Sequence, residues 1–377
     1  MPGTRRLDAA SSVAFTVVVT VLVGVGALVI FAIVALSGAP TSIALATLLA
    51  AVPVGPIVAC YLWLDRYEPE PRMLLAAGLL WGCFVATAAA ILLQGVGGLV
   101  GGFTERETLE VVAPVTEEAC KGLFLFLLLW WRRAELDGVL DGIVYAGMVG
   151  VGFAFTENIF YLAAAYNGTD GLGPGGTEAV TTTFILRCLI SPFAHPLFTV
   201  FTGIGVGLAI TSRRSVVRLL APVVGFLVAA LLHGLWNGST LSGTGHFFLV
   251  YGTLMLPALV GVAAFAIYRR RSERPLLAAA LQDAADRGLL PATDIPWLID
   301  LRARRHARRW AKAQGGTQAE RGMREYQAAA VELGYLHHRY LRGTAPDDFS
   351  VRGQDHVEEL RRIRPYISFP GQVVPTR

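Results

Sequence analysis

Residues 111–131 read VVAPVTEEACKGLFLFLLLWW. A helix of about 20 apolar residues crosses a bilayer, and this run is long enough to do so. It nevertheless holds Glu117, Glu118 and Lys121. An ionisable side chain at the centre of a membrane helix costs at least ~2.5–3.5 kcal/mol, so such residues persist where they face one another, a cavity or a substrate. In a helix Glu117 and Lys121 are i and i+4 and share a face. Glu118 projects about 100° further round.

Three later apolar runs carry similar residues. Glu157-Asn158 lies in 139–165, His195 in 184–210, and His233 with Asn237 one turn on in 216–237. Further runs at 13–36, 42–63, 73–101 and 246–268 bring the number to eight. The first exceeds the 7–15 apolar residues of a signal peptide and reads as a retained helix. The expected fold is all-α: a polytopic membrane helix bundle of about eight transmembrane helices with a cytoplasmic helical C-terminal tail.

Composition agrees. Apolar residues make up 54% of the 377 and charged residues 16%, against about 25% charged in a soluble domain. Residues 1–268 hold 12 Lys/Arg and 15 Asp/Glu, a net of −3, so residues 269–377 carry +7 of the overall +4. This split places a membrane domain at 1–268 and a basic tail at 269–377. Cys60, Cys83, Cys120 and Cys188 stand singly in or beside apolar runs, which indicates neither a disulfide framework nor a thiolate metal site.

Arginines mark every second connection: Arg5 and Arg6, Arg66 and Arg72, Arg132 and Arg133, Arg213 and Arg214, and Arg269 to Arg271. The positive-inside rule then puts both termini in the cytoplasm of a multi-pass protein of the bacterial plasma membrane. The long outer connection, 166–183, is rich in glycine and reads as a linker, with a lid over a site as the alternative. In the tail, segments near 275–288, 294–313 and 317–342 show helical spacing. Arg302, Arg304, Arg305, Arg308 and Arg309 form a basic face suited to anionic membrane lipid. No nucleic-acid recognition motif accompanies it, so no nucleic acid partner is expected.

At 1.5 Å per residue, Glu117, Glu157, His195 and His233 fall ~21–27 Å from the Arg-marked ends of their helices. Two of these helices run inward and two outward, yet the four residues share one layer in the outer half of the bilayer. Arg187 computes to the outer interface, where snorkelling explains it. Asp65, Glu68, Glu70 and Asp141 sit at the inner boundary as caps and anchors.

Each residue of the layer has a plain structural explanation. Glu117 would pair only with Lys121, Glu157-Asn158 would bond helix to helix, His195 would satisfy carbonyls freed between Pro192 and Pro196, and His233 would sit at the interface beside Trp236. Together, carboxylates, imidazoles and an amide are the groups that activate water, which points to hydrolysis within the membrane. The rival from another class is a transporter or proton relay using the same charges; no internal repeat supports it.

At these residues the sequence resembles the PrsW family of intramembrane proteases, within the wider group of CAAX prenyl endopeptidases and bacterial Abi-type membrane proteases. The E-E-x-x-K pattern stands as Glu117 to Lys121, F-x-x-x-E-N as Phe153 to Asn158, the next helix's histidine as His195, and H-x-x-x-N/D as His233 and Asn237. The stretch Leu64 to Pro71 resembles the family's turn after the second helix. The resemblance covers roughly residues 40–270. It implies an endopeptidase acting on a single-pass membrane protein, such as an anti-sigma factor, near the extracytoplasmic side. Under it Glu117 is the general base, supported by Glu118 and Lys121. Glu157, His195 and His233 are three zinc ligands that leave a fourth position for water. In the alternative, Glu117 activates water without metal while His233 and Asn237 stabilise the oxyanion. No H-E-x-x-H motif is present.

Overall fold

The computed structural model describes residues 2–169, 174–346 and 348–372, and the side chains of all of these except 2–10, 99 and 100. Regular structure among the described residues is helical throughout. The apolar runs appear as α1 (Pro2–Leu36), α2 (Pro40–Leu64), α3 (72–101), α4 (105–131), α5 (Val139–Asn167), α6 (Gly176–Thr211), α7 (Ser215–Leu241) and α8 (Thr244–Asp286). Among the described residues, seven helices are long and apolar enough to cross a membrane. The exception is α4, whose last 19 residues, Ala113–Trp131, contain Glu117, Glu118 and Lys121.

Burial orders these helices. The apolar window of α5 is 94% buried, against 11% for α2 and for α8. So α5 is the axis, and the outer helices turn Leu, Val and Phe side chains outward, as lipid-facing helices do. Around the axis pack Trp81 of α3, Phe124 and Leu125 of α4, and Tyr145 and Val149 of α5, all essentially inaccessible. The indole N–H of Trp81 donates to the carbonyl of Cys120 at 3.0 Å, which ties α3 to α4 beside Lys121.

Several helices are locally wound with i→i+5 bonds: Trp81–Ala86, Thr108–Val112, Ile185–Ile190 and Tyr251–Met255. Such π turns shift the phase of everything that follows and recur at functional sites. In α6 the π turn runs into a break at Ser191, Pro192 and Phe193, and the helix resumes at Ala194. The Ser191 N–H and hydroxyl donate to the Leu186 carbonyl, and the Tyr251 hydroxyl donates to the Ile190 carbonyl. These bonds satisfy the Leu186 and Ile190 carbonyls at the break without His195.

The connection before α6 is shorter than 166–183, because α5 continues to Asn167 and α6 begins at Gly176. A lid there falls largely on residues 170–173, outside the described residues. Arg5 and Arg6, used to orient the N-terminus, likewise have no described side chains.

The chain divides into two compact units: Met1–Asp65 with Glu70–Ala266, and Arg66–Pro69 with Ile267–Arg377. The second has its own core, including Leu277, Leu281, Leu298, Met323, Tyr326 and Phe369. Its helix Leu301–Leu341 bends at Gly315 and Gly316, where the backbone leaves helical geometry. Arg304 does not belong to an exposed basic face. It is buried, with Nε donating to the Leu298 carbonyl and Nη1 to the Tyr67 carbonyl, whereas Arg302, Arg305 and Arg309 are exposed.

Candidate active site

Four helices deliver the polar layer. On α4 the helical repeat turns Glu117, Glu118 and Lys121 into the bundle, and all three are buried. Gly150 of α5 admits the start of the second half of α6: a Cβ there would stand 2.6 Å from Cα of Pro196, so His195 is brought directly against α5. Gly234 does the same between α7 and α4, since its Cβ would lie 2.3 Å from the Glu110 carbonyl oxygen. His233 is thereby set opposite Glu118.

The resulting contacts form one network. Lys121 Nζ donates to Glu118 Oε1 at 2.8 Å and to Glu117 Oε2 at 3.4 Å, and lies 3.6 Å from the centre of the Phe153 ring. It also stands 3.2 Å from His195 Nδ1. An ammonium has only protons to offer, so Nδ1 accepts and His195 carries its proton on Nε2. That nitrogen donates to Glu157 Oε2 at 2.5 Å. His233 Nδ1 donates to Glu118 Oε1 at 3.1 Å, and its Nε2 faces Glu117 Oε2 at 3.7 Å. Its ring stacks on Phe198 with centroids 4.8 Å apart. His233 is thus an interior residue, 1% exposed, rather than an interfacial one beside Trp236.

Sequence reading had missed three supporting residues. Thr199, one turn beyond His195, donates its hydroxyl to Glu118 Oε2 at 3.0 Å. Gln94 of α3 donates to Glu117 Oε1 at 3.3 Å. Arg187 does not snorkel. Its Nη2 binds Glu157 Oε2 at 2.5 Å and its Nε binds Asn158 Oδ1 at 2.8 Å. The i,i+4 spacing of Thr199 from His195 was a usable signal; the reach of Gln94 and Arg187 depends on helix packing.

Of the residues expected as ligands and base, His195 and His233 stand together with Glu117. Ligand atoms of Glu117, His195 and His233 all lie within 4.8 Å of one another, and these three can hold a metal ion. Glu157 is turned to Arg187 and to the far nitrogen of His195. Neutral imidazoles and a carboxylate are suitable zinc donors. Here each imidazole is held on one nitrogen by a carboxylate, His233 by Glu118 and His195 by Glu157, the usual outer support of a metal site, while Lys121 shares the second nitrogen of His195. The donor set therefore fits a metal.

Asn237 stands apart from this network. Its Nδ2 donates to the Leu109 carbonyl at 3.1 Å. Asn237, Asn158, Arg187 and His195 share the wall of a cavity of about 350 Å³ with Trp236 and Phe247. So the layer has one side turned to open space and the other, at Glu118 and Lys121, fully buried.

Comparison with known proteins identifies a family and relatives. Residues 70–262, just over half of the chain, match the family described as PrsW family intramembrane metalloprotease. The chain is 32% identical over 146 residues to "Protease PrsW" of Oceanobacillus iheyensis, a match spanning 39% of this chain and 58% of that protein. It is 29% identical over 194 residues to "Protease PrsW" of Geobacillus kaustophilus, spanning 50% and 76%. With "Protease PrsW" of Bacillus subtilis it shares 31% identity over 122 residues, 32% of this chain and 48% of the relative. No solved structure matches it. All four patterns of polar residues, from Glu117 to Asn237, lie inside the matched region, and the chain belongs to the PrsW family of intramembrane metalloproteases.

Proposed function

We propose that this chain is an intramembrane endopeptidase that hydrolyses a peptide bond of a membrane-anchored protein by activated water. The observation that carries the reading is the group Glu117, His195 and His233, buried among apolar helices and bordered by a cavity. In such a setting every charge acts strongly, because the local dielectric is low.

Glu117, His195 and His233 are the residues that would hold a zinc ion, and when bound the ion supplies an acidified water and polarises a peptide carbonyl. Glu118 holds the His233 ring through Nδ1 and is itself held by Thr199. Lys121 offsets the paired carboxylates. Glu157 keeps the His195 proton on Nε2. Asn237 and Asn158, on the cavity wall, offer polar partners to a substrate backbone that has left its helix, which lipid cannot do.

One observation favours a second reading, without metal. The Lys121 ammonium lies within 3.4 Å of Glu117 and 3.2 Å of His195, so a cation is already in place. Glu117 would then take the proton from water with its carboxylate held by Lys121, and Asn237 on the cavity wall would stabilise the oxyanion.

The Arg-marked connections support an orientation with both termini in the cytoplasm of the plasma membrane and the site in the outer half of the bilayer. The substrate class proposed is a single-pass protein cut near its outer side, an anti-sigma factor among the candidates. Glu117→Gln tests the function. In cell membranes it should abolish cleavage of such a substrate, a loss of at least 10²–10⁴-fold, while insertion and folding persist. Retained cleavage would remove Glu117 from the reaction. Loss of wild-type cleavage on treatment with a chelator, restored by zinc, would decide for the metal reading.

A further inference from the structure

Arg187 has no part in the reactions above, yet it is tightly engaged. It lies in the π-helical segment Ile185–Ile190, just before the α6 break. Its Nη2 and the His195 Nε2 both meet the same atom, Glu157 Oε2, each at 2.5 Å. Its Nε holds Asn158 at 2.8 Å, and its guanidinium rests 3.9 Å from the centre of the Tyr161 ring. The planar fork therefore grips two consecutive side chains of α5 at once. A lysine, with a single charged nitrogen on a flexible stem, has no such fork.

Glu157 has the chemistry of a metal ligand and sits at the edge of the ligand group, bonded to one of its members. Its engagement by Arg187 gives the carboxylate a different partner. We propose that Arg187 is a positioning residue that fixes Glu157 as acceptor for His195 Nε2–H and so holds the His195 ring, with Nδ1 on the Lys121 side, in place beside Glu117 and His233. This rests on the reading of Glu117, His195 and His233 as the metal ligands.

Arg187 lines the cavity of about 350 Å³ and its side chain is 24% exposed, so a small cation has access to its place. The full-length protein in detergent micelles, stripped of metal, is titrated with zinc in competition with a chromophoric chelator. Arg187→Ala should weaken zinc binding 10–100-fold, the usual loss when an outer partner of a metal site is removed. Guanidinium ion at millimolar concentration should restore most of that loss. Arg187→Lys should recover less than guanidinium does.

Wild-type affinity in Arg187→Ala overturns the proposal, as does a loss that guanidinium leaves unchanged, since that would mark a packing defect. Should Arg187→Ala not fold, Arg187→Lys and Asn158→Ala carry the test. Each should weaken zinc several-fold with an unchanged melting temperature in the metal-free state, and unchanged affinity in both overturns the proposal. Failure of the metal reading looks different: wild type then binds no zinc, or His233→Ala binds it as wild type does, and the inference falls with it.

Discussion

Lys121 Nζ stands 3.2 Å from His195 Nδ1 and 3.4 Å from Glu117 Oε2. A metal ion held by Glu117, His195 and His233 would therefore share Glu117 with a buried ammonium. Removing one partner of a buried ion pair costs about 3–5 kcal/mol, because the remaining charge is left uncompensated. Lys121→Met should lower the melting temperature of the metal-free protein strongly. Zinc should then stabilise the variant more than it stabilises wild type. Equal zinc-induced shifts in the two proteins, read by thermal unfolding in detergent, would show that the two cations act independently.

Thr199 is a support whose removal is isosteric. Thr199→Val keeps the shape but leaves Glu118 Oε2 without the 3.0 Å bond. A hydrogen bond to a charged group contributes about 1.5–3 kcal/mol, so the variant should melt several degrees lower. Thr199→Ser, which keeps the hydroxyl, should recover most of that difference; an equal loss in both variants would assign the effect to the methyl group.

Asp65 gives a pH dependence from outside the spanning segments. Burial pushes its carboxyl up to about 8, the Glu70 N–H bond opposes this, and the Asp141 charge adds to it. The folded protein thus keeps a proton that the unfolded chain releases near 3.8. The stabilisation is fully present below that pH and is lost as pH rises through about 8. Asp65→Asn removes the titration. Its melting temperature should fall less than that of wild type between pH 5 and pH 9, and parallel curves would exclude Asp65 as a source of the trend.

Gly150 sets the distance between α5 and His195. A methyl there would meet Pro196 Cα at 2.6 Å and Pro196 N at 2.8 Å, both backbone. Overpacking of this kind costs about 1–3 kcal/mol. Gly150→Ala should reduce both the melting temperature and the zinc affinity, by moving His195 away from Glu117. Full zinc affinity in a destabilised Gly150→Ala protein would separate helix spacing from the site.

Much of this fold was legible because lipid imposes a simple rule on sequence. Apolar runs of about 20 residues mark helices, and the violation of that rule at Glu117, Glu118 and Lys121 marked the site. The helical repeat also paired Glu117 with Lys121 on one face. Allocation of partners was not legible. Glu157 is engaged by Arg187, which regular helical spacing places at the interface; the π turn at Ile185–Ile190 alters that phase. Asn237 shares a face with His233 by spacing, yet the carbonyl of Leu109 on α4 takes its amide. Such choices are made by neighbouring helices and leave no periodic trace.

Three carboxylates, Glu117, Glu118 and Glu157, share this layer with two permanent cations, Lys121 and Arg187, and with two imidazoles held by hydrogen bonds. Counted as ions, the layer is one positive charge short of neutrality. In water such an imbalance is trivial, but at membrane depth it is a standing demand on the surroundings. The layer is in this sense a cation exchanger, and the cation it takes up, proton or metal, would set the field in which a peptide bond is cut.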